Sequence, residues 1–323
     1  MVTPSPSTQL ASLRPDIKMA MQEFNLQMNI SRMIGLKVFP VLEVEEQGGS
    51  FPKLKLEAML KVVDTARASG GAYKFAEYDF TDDTYATKEN GITVPIDRRN
   101  KNIYSKFGAD LAAGNFARNI VMTNHEMRVA AKVFDPVTFT PTSVTNEWSD
   151  FENATPITDV ENAVQRSYAK GVLANALIVS WKVFRNLRHV AQVIDRITAD
   201  GAGQSAKPDD ITAQMLATVF SLDYVLVGAA QYNAAKEGQS ASLQPIWSNE
   251  YAAVARVAPP GGSFEDPCIG RTFHWGGDGS SISGTIETWY DEEIRGDRLR
   301  YRMETQEKLM YVQACELLDN ITE

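Results

Sequence analysis

The chain contains 323 residues, 44% of them hydrophobic and 23% charged, so it can bury a sizeable core and is not disordered throughout. Its formal net charge of −9 argues against a protein whose main work is to grip nucleic acid, because such binding draws on clustered Lys and Arg. The two cysteines, Cys268 and Cys315, are too few for a disulfide framework, and we expect reduced thiols in a cytoplasmic setting. No apolar run approaches the ~18 residues of a membrane span and no signal peptide is recognisable, so neither a membrane-spanning nor an exported protein is expected.

The N-terminal stretch begins with a Pro/Ser-rich segment and continues with a predicted amphipathic helix over Asp16–Asn29. Its apolar positions are mostly methionine, which makes an adaptable surface: Met19, Met21, Phe24 and Met28. Two alternatives are open. The helix packs on the core of its own chain, or it is an arm that packs on a neighbouring subunit.

The next stretch, Leu36–Arg99, is predicted to form short strands separated by glycine pairs. The residues around Glu89-Asn90-Gly91 predict a hairpin between Tyr85–Lys88 and Ile92–Ile96, because Asn-Gly supplies the positive φ values of a type I′ turn. The region is rich in charge and poor in continuous apolar sequence, so it cannot bury much of itself. Such an extended excursion is typical of a functional surface or of a segment that a partner stabilises.

The longest predicted helix covers Tyr104–Phe134 and ends at Asp135-Pro136. Its apolar stripe is wide, and it contains helix-interior glycines that each cost ~1 kcal/mol relative to alanine. We therefore expect it to pack closely against a sheet.

A mixed α/β unit is predicted after this helix. A helix opens at the capping-box spacing of Thr158 and Glu161 and ends at Gly171, and further helices begin near Ser180 and Thr212. The apolar runs Leu173–Ser180 and Leu222–Gly228 predict buried strands of an internal sheet.

Two half-buried strands are predicted near the C-terminus, over Gly284–Tyr290 and Arg298–Glu304. In the second, apolar and charged side chains alternate, with Leu299, Tyr301 and Met303 on one face. That apolar face needs a cover, and the long helix is the obvious candidate.

No catalytic constellation is found. The three histidines, His125, His189 and His274, lie far apart and lack the spacing of a zinc site. The glycine-rich stretch Phe273–Ser281 lacks both a phosphate-loop lysine and the several carboxylates of a calcium loop, so an irregular turn is favoured there. We therefore expect no catalytic residue, no cofactor and no metal.

The order of these elements resembles the tailed-phage major capsid proteins of the Hong Kong 97-type fold. Several short stretches carry the resemblance, in this order: Asp110-Leu-Ala-Ala-Gly-Asn-Phe116, Trp148, Thr155-Pro-Ile-Thr-Asp159, Leu173-Ala-Asn-Ala-Leu-Ile-Val-Ser180, Leu216-Ala-Thr-Val-Phe-Ser-Leu-Asp-Tyr-Val-Leu-Val-Gly228, Pro245-Ile-Trp247 and Pro259-Pro-Gly-Gly-Ser-Phe264.

The resemblance implies an α+β, Hong Kong 97-like phage capsid fold. Its expected parts are an N-arm (1–35), an extended E-loop hairpin (36–103), a P-domain with the long spine helix (104–157), an A-domain with a central sheet and flanking helices (158–275), and C-terminal strands that complete the P-domain sheet (276–323). The implied function is a structural virion protein, not an enzyme, that self-assembles as hexamers and pentamers into an icosahedral bacteriophage capsid around double-stranded DNA.

The implied partners are a separate scaffold, a portal, a possible decoration protein and DNA without sequence-specific binding, with no membrane. Assembly is expected in the host bacterial cytoplasm. Residues expected at contacts between subunits are Glu89, Asn90, Gly91, Asp97, Arg98, Arg99, Met19 and Phe24. Two alternatives are an encapsulin-like nanocompartment shell on the same fold and a nucleotide-dependent α/β enzyme built on residues 158–228, which the missing phosphate loop disfavours.

Overall fold

The structure is a computed structural model that describes residues 32–67, 69–75, 80–97, 108–199, 207–261 and 266–322. The helices in these ranges are α1 (Gly35–Val38), α2 (Leu56–Met59), α3 (Ala109–Val133), α4 (Pro156–Ala169), α5 (Trp181–Leu187), α6 (Ala191–Ala199) and α7 (Ala213–Val219). The strands are β1 (Val41–Val44), β2 (Gly48–Leu54), β3 (Phe80–Ala86), β4 (Lys88–Asp97), β5 (Thr142–Ser143), β6 (Ala176–Ser180), β7 (Tyr224–Gly228), β8 (Gln231–Asn233), β9 (Leu243–Pro245), β10 (Ala252–Ala255), β11 (Gly270–Trp275), β12 (Thr285–Asp291), β13 (Gly296–Leu309) and β14 (Cys315–Asp319).

One five-stranded sheet is built around β13, a strand of 14 residues. Strand β4 pairs with one edge of β13, while β12 and β11 share the other edge. The side chains of Leu299, Tyr301 and Met303 are buried against α3, where they meet Ala117 and Val121. The predicted cover of this strand by the long helix is therefore confirmed, and the sheet is called the helix-backed sheet below.

The second five-stranded sheet has the strand order β5-β14-β10-β6-β7. All five residues of β6 are buried, and helices α4 to α7 supply apolar side chains to the core on this sheet. The buried strands predicted before Ser180 and Gly228 are thus confirmed as neighbours, because β6 and β7 pair in parallel. This sheet is called the central sheet below.

The long helix α3 begins at Ala109, after Gly108 with φ 63°, so it is shorter than the predicted Tyr104–Phe134. Residues 98–107 lie outside the described residues. With 25 residues and ~1.5 Å of rise per residue, α3 is about 37 Å long. It ends at Val133, just before the predicted stop at Asp135-Pro136.

The hairpin predicted at Asn90-Gly91 is wrong. Both residues lie inside β4, which pairs with β13 and not with β3, and neither has a positive φ. Gly91 allows the backbones of β4 and β13 to approach closely, since a Cβ there would lie 3.0 Å from the Tyr301 carbonyl oxygen. The hairpin of this region is formed by β2 and β3.

Three smaller expectations also differ from the structure. The stretch Leu36–Arg99, predicted to form short strands, starts instead with the short helix α1, and its residues 71–75 form no strand. Helix α4 begins at Pro156, whose fixed φ suits the first turn, so Thr158 and Glu161 lie inside the helix and form no capping box.

Two strands fall outside the expected grouping by sequence. The C-terminal strand β14 pairs with β10 and β5 in the central sheet, although residues 276–323 were expected to complete the other sheet. Strand β11 pairs with β13 in the helix-backed sheet, although it precedes residue 276. The chain therefore crosses back to the helix-backed sheet earlier than expected, at β11, and makes one additional crossing to the central sheet at β14.

Candidate functional surface

The hairpin of β2 and β3 is a separate two-stranded sheet that is fastened at its base. The ring of Tyr85 stacks on Phe273 of β11 with centroids 5.0 Å apart, and Phe51 packs on the same ring at 5.5 Å. The Lys53 ammonium donates to the Met310 carbonyl and lies 4.5 Å from the centre of the Tyr311 ring. Partial burial lowers the pKa of this lysine. The base of the hairpin is therefore held by packing on the helix-backed sheet.

The segment beyond β2, which we call the hairpin tip (residues 55–75), leaves large apolar side chains in solvent. Val62 and Phe75 are 95% and 96% exposed, and Leu60 and Tyr73 are 63% and 74% exposed. The guanidinium of Arg67 lies over the Tyr73 ring at 4.4 Å, a contact that is itself at the surface. Large exposed apolar side chains gathered on one segment are typical of a surface that a partner covers.

A groove with a volume of about 550 Å³ runs between β4 and α3. It is lined by Glu89, Asn90 and Gly91 of the strand and by Ile120, Asn124 and Met127 of the helix. Phe116, one turn before Ile120, is 59% exposed and extends the apolar rim along the helix. The groove thus offers an open strand edge beside an apolar helix face.

The expected contact residues fall into two sets. Glu89, Asn90, Gly91 and Asp97 all lie on β4, opposite Glu304, Met303, Arg302 and Gly296 of β13. The remaining four, Arg98, Arg99, Met19 and Phe24, lie outside the described residues. The first set shares strand β4, whose pairing partner β13 lies about 200 positions away and was not revealed by sequence spacing.

The charged face of β13 is neutralised by carboxylates. Arg302 pairs with Glu287 at 3.0 Å and also with Asp278, and Arg300 pairs with Glu287 at 3.5 Å. Although desolvation acts to lower the pKa of Arg302, its hydrogen bonds to these two carboxylates raise it. The arginines predicted on this face therefore hold neighbouring strands and loops, and they do not form a free basic surface for phosphate.

A buried carboxylate fixes the backbone at Ile34 and Gly35. Glu126 of α3 accepts hydrogen bonds from the Ile34 and Gly35 backbone N–H groups at 2.8 and 2.6 Å and from Trp247 Nε1 at 2.7 Å. Its side chain is buried, and desolvation raises its pKa. Sequence reasoning missed this residue because its donors lie about 90 and 120 positions away.

A second buried group lies one residue earlier on α3. The His125 ring is fully buried with its Nε2 atom 3.5 Å from Glu307 Oε1, and burial lowers its pKa to about 4. Glu307 accepts two hydrogen bonds from Arg128, each 2.9 Å long. Burial acts to raise the pKa of Glu307, but the hydrogen bonds and the charge of Arg128 bring it below its ordinary value. The neutral histidine thus belongs to the interface between helix and sheet.

No described part of the chain gathers three or more His, Cys, Asp or Glu side chains in a way that could hold a metal ion. The polar groups of the glycine-rich turn after Trp275 are used internally, since Asp278 pairs with Arg302 and Ser280 donates to the Trp275 carbonyl. Within the described ranges, each helix is too short or too polar to cross a bilayer.

No protein-family model matches the chain. It is 22% identical over 262 residues to the major capsid protein of Pseudomonas phage JBD67, covering 79% of this chain and 81% of that protein. It is 23% identical over 209 residues to the major capsid protein of Burkholderia phage BcepMu, covering 62% of this chain and 65% of that protein.

Solved structures share the fold over nearly the whole chain. A phage-related protein from Bordetella bronchiseptica RB50 has a TM-score of 0.69 at 20% identity, over 96% of this chain and 97% of that one. The capsid of cyanophage P-SCSP1u has a TM-score of 0.55 at 9% identity, over 89% and 88% of the two chains. The virus-like particle from Pyrococcus furiosus has a TM-score of 0.56 at 11% identity, over 94% and 98%.

The chain is similar in sequence to major capsid proteins of phages and shares the fold of solved phage capsid proteins. Its fold is the expected mixed helix-and-sheet fold of the Hong Kong 97 type. Both curated relatives are named as phage capsid proteins, which favours a phage capsid over the encapsulin-like alternative. Among the described residues, the exposed hairpin tip and the groove beside α3 are the two strongest candidates for surfaces that meet another protein.

Proposed function

We propose that the chain is a major capsid protein that assembles as hexamers and pentamers into an icosahedral shell, which encloses the double-stranded DNA of a tailed phage. The observation that carries the proposal is the hairpin tip, where Val62 and Phe75 are 95% and 96% exposed. When a partner covers such side chains, burial of apolar surface favours association by ~25 cal/mol for each Å² removed from water. The names of the relatives indicate that the partner is another copy of the chain.

In the proposed shell, the hairpin tip of one subunit docks in the groove between β4 and α3 of the next. The groove supports this because it is open, apolar on the helix side and bordered by a strand edge. Glu89, Asn90, Gly91 and Asp97 are the groove-side contacts, with the Glu89 side chain 56% exposed. Arg98, Arg99, Met19 and Phe24, which lie outside the described residues, are proposed as further contacts between subunits.

The proposed domain organisation follows the family. Residues 1–35 form the N-arm, 36–103 the E-loop region, 104–157 the part of the P-domain with the spine helix, 158–275 the A-domain, and 276–323 the C-terminal part of the P-domain. Strand β11 pairs with β13 and β14 pairs with β10, so hydrogen bonds join residues 158–275 to residues 276–323. We therefore expect these two parts to unfold together.

The proposed partners during assembly are a separate scaffold protein, a portal and a decoration protein, and the proposed place of assembly is the host bacterial cytoplasm. DNA is a packaged content without sequence-specific binding in this scheme. The net charge of −9 and the neutralised arginines of β13 support that view, since tight DNA binding draws on unpaired cations.

The test is electron microscopy of the full chain expressed with the phage's scaffold. We expect closed shells from the parent and at least tenfold fewer from the double variant Val62→Ser/Phe75→Ser. The matched control is Val137→Ser, because Val137 is also an apolar residue, 90% exposed, but lies outside the hairpin. All three proteins should unfold within about 0.5 kcal/mol of one another, since no buried contact is removed.

The possible results of this experiment separate shell assembly from the role of the hairpin tip. If the parent forms no icosahedral shells, and none contain this chain in the source virions, shell assembly is refuted. If the tip variant assembles as well as Val137→Ser, the tip is not the contact. If the particles carry an enzyme cargo and no DNA, the chain forms a cellular nanocompartment and not a phage shell.

A further inference from the structure

Helix α5 carries positive charge in an otherwise acidic chain. No Asp or Glu occurs between residues 162 and 194, although the chain as a whole has a formal net charge of −9. Three of the cations in this stretch, Lys182, Arg185 and Arg188, belong to α5 and its C-cap. Positive charge is therefore concentrated at one place on a negatively charged molecule.

Helical spacing puts these cations on one side of α5. At ~100° of turn per residue, positions 181, 182, 185 and 188 fall within about 120° of one another. The opposite side of the helix is buried in the core under the central sheet, through Val183 and Leu187. The indole of Trp181 is 53% exposed at the first position of the helix. The outward side is called the α5 basic face, and it consists of Trp181, Lys182, Arg185 and Arg188.

The acidic groups around this face leave its arginines available. Among the described residues, no ion pair engages Arg185 or Arg188, whereas the two cations at the end of α4 both pair with Glu316. Beyond Arg188, the ring of His189 lies 5.5 Å from that of Phe151, which has an acidic residue on either side of it in sequence. The basic face therefore ends at Arg188.

A further cation extends the face at its other end. Arg32 lines a cleft with a volume of about 470 Å³ together with Trp181 and Lys182. The Arg32 carbonyl oxygen accepts a hydrogen bond of 3.2 Å from the Ala229 N–H, which fixes the backbone beside the cleft. The amide side chain of Gln231 also lines this cleft, so its mouth is polar and cationic.

The spacing of the cations suits a chain of phosphates. Lys182, Arg185 and Arg188 follow one another every three residues, which is ~4.5 Å along the helix axis. Successive phosphates of one strand are ~3.4 Å apart along the axis of duplex DNA, and long flexible side chains can bridge the difference. The planar guanidinium of arginine also matches the geometry of phosphate oxygens.

We propose that the α5 basic face, extended by Arg32, binds the phosphate backbone of duplex DNA without sequence preference. The choice of duplex DNA as the occupant rests on the proposed function, in which the shell encloses it. About four phosphate contacts per subunit make a weak and salt-dependent interaction, since non-specific binding typically has a Kd of ~10⁻⁴ to 10⁻⁶ M at physiological salt. Such a local contact is compatible with a net charge of −9.

The first experiment measures the anisotropy of a fluorescently labelled duplex of about 20 base pairs, titrated with the unassembled full chain between about 50 and 200 mM salt. The logarithm of the binding constant should fall with the logarithm of the salt concentration, with a slope of about −3.6 for four phosphate contacts. The variant Arg185→Gln/Arg188→Gln should bind about tenfold or more weakly and reduce the steepness of the slope by ~1.8.

Two control variants separate charge at this face from charge elsewhere. Lys61→Gln/Arg295→Gln removes two exposed cations outside the face and should keep the slope of the parent. Arg185→Lys/Arg188→Lys keeps the charges of the face and should also keep the slope. If the parent does not bind the duplex at 50 mM salt, or if Arg185→Gln/Arg188→Gln binds it as the parent does, the proposal is overturned. If poly-glutamate binds the parent more tightly than the duplex at equal charge concentration, the occupant is an acidic protein segment, which overturns the assignment to DNA.

The second experiment locates the bound duplex through tryptophan fluorescence. Binding should change the emission of the parent, and Trp181→Phe should lose most of that change while its affinity stays within about threefold. The control is Trp289→Phe, which removes a tryptophan of β12 and should keep the change. If Trp181→Phe shows the full change of the parent, the duplex lies elsewhere and the proposal is overturned.

Both experiments use the unassembled chain. A chain that binds the duplex through the α5 basic face but forms no shells would refute shell assembly alone. A chain that forms shells but does not bind the duplex would refute only the DNA contact.

Discussion

Acidification should destabilise the subunit through His125. Its folded-state pKa is about 4, because burial disfavours the charged ring, whereas an unfolded histidine titrates near ~6.5. Between these values the unfolded chain binds the proton and the folded one does not, so the free energy of unfolding falls as the pH falls. From pH 7 to pH 5 the loss is about 2 kcal/mol, at ~1.36 kcal/mol for each of the roughly 1.5 pH units below 6.5.

The groups around His125 determine how cleanly this can be measured. Glu307 Oε1 lies 3.5 Å from His125 Nε2, and Arg128 forms an ion pair with Glu307. Since the pKa of Glu307 is lowered, its contribution is present above its unfolded pKa of ~4.5 and is lost only at lower pH. The window between pH 7 and pH 5 therefore reports mainly on the histidine.

The assay is urea unfolding of the unassembled subunit at pH 7 and pH 5, with His125→Leu as the test variant. Leucine fills much of the ring's volume and cannot titrate, so the variant should lack about 2 kcal/mol of the parent's pH dependence. The control is His189→Leu, which leaves His125 in place and should keep the parent's dependence. The reasoning is refuted if His125→Leu loses as much stability between pH 7 and pH 5 as the parent does.

Two further substitutions test how the chain is fixed around Trp247. Gly228→Ala should lower the free energy of unfolding by about 2 kcal/mol or more, because the new methyl group would lie 2.1 Å from the Trp247 indole. Thermal unfolding measures this effect. An unchanged Tm would contradict the expectation. Glu126→Ala should cost about 3 kcal/mol or more, at roughly 1 kcal/mol for each of three buried donors left without an acceptor. Hydrogen exchange should then be faster at the Ile34 and Gly35 amides, whereas parent-like protection there would show that the carboxylate is not their main partner.

The sequence was most informative where burial follows a simple period. The alternation from Arg298 to Glu304 predicted which face of β13 is buried, because an extended strand turns successive side chains to opposite faces. The stop after Val133 and the left-handed Gly171 after α4 were likewise predictable, since each depends on the backbone chemistry of one or two residues.

The sequence was misleading where a distant partner competed with a local preference. Asn90-Gly91 has the composition of a tight turn, but pairing with β13 over ten residues outweighs a preference worth ~1 kcal/mol or less. The same pairing leaves the hairpin to β2 and β3, which moves the exposed tip about 20 residues earlier in the chain than the Asn-Gly signal indicated.

By itself, the sequence determined the element types, the buried face of β13, the long helix and, through the order of its motifs, the resemblance to phage capsid proteins. Only the tertiary structure decided which strands share a sheet, where the exposed hairpin tip lies, and how Glu126 fixes the start of the described chain. The physical reason is range. Periodicity and capping act within a few residues, whereas the pairing of β4 with β13 and the buried hydrogen bond between Trp247 and Glu126 join groups more than 100 positions apart.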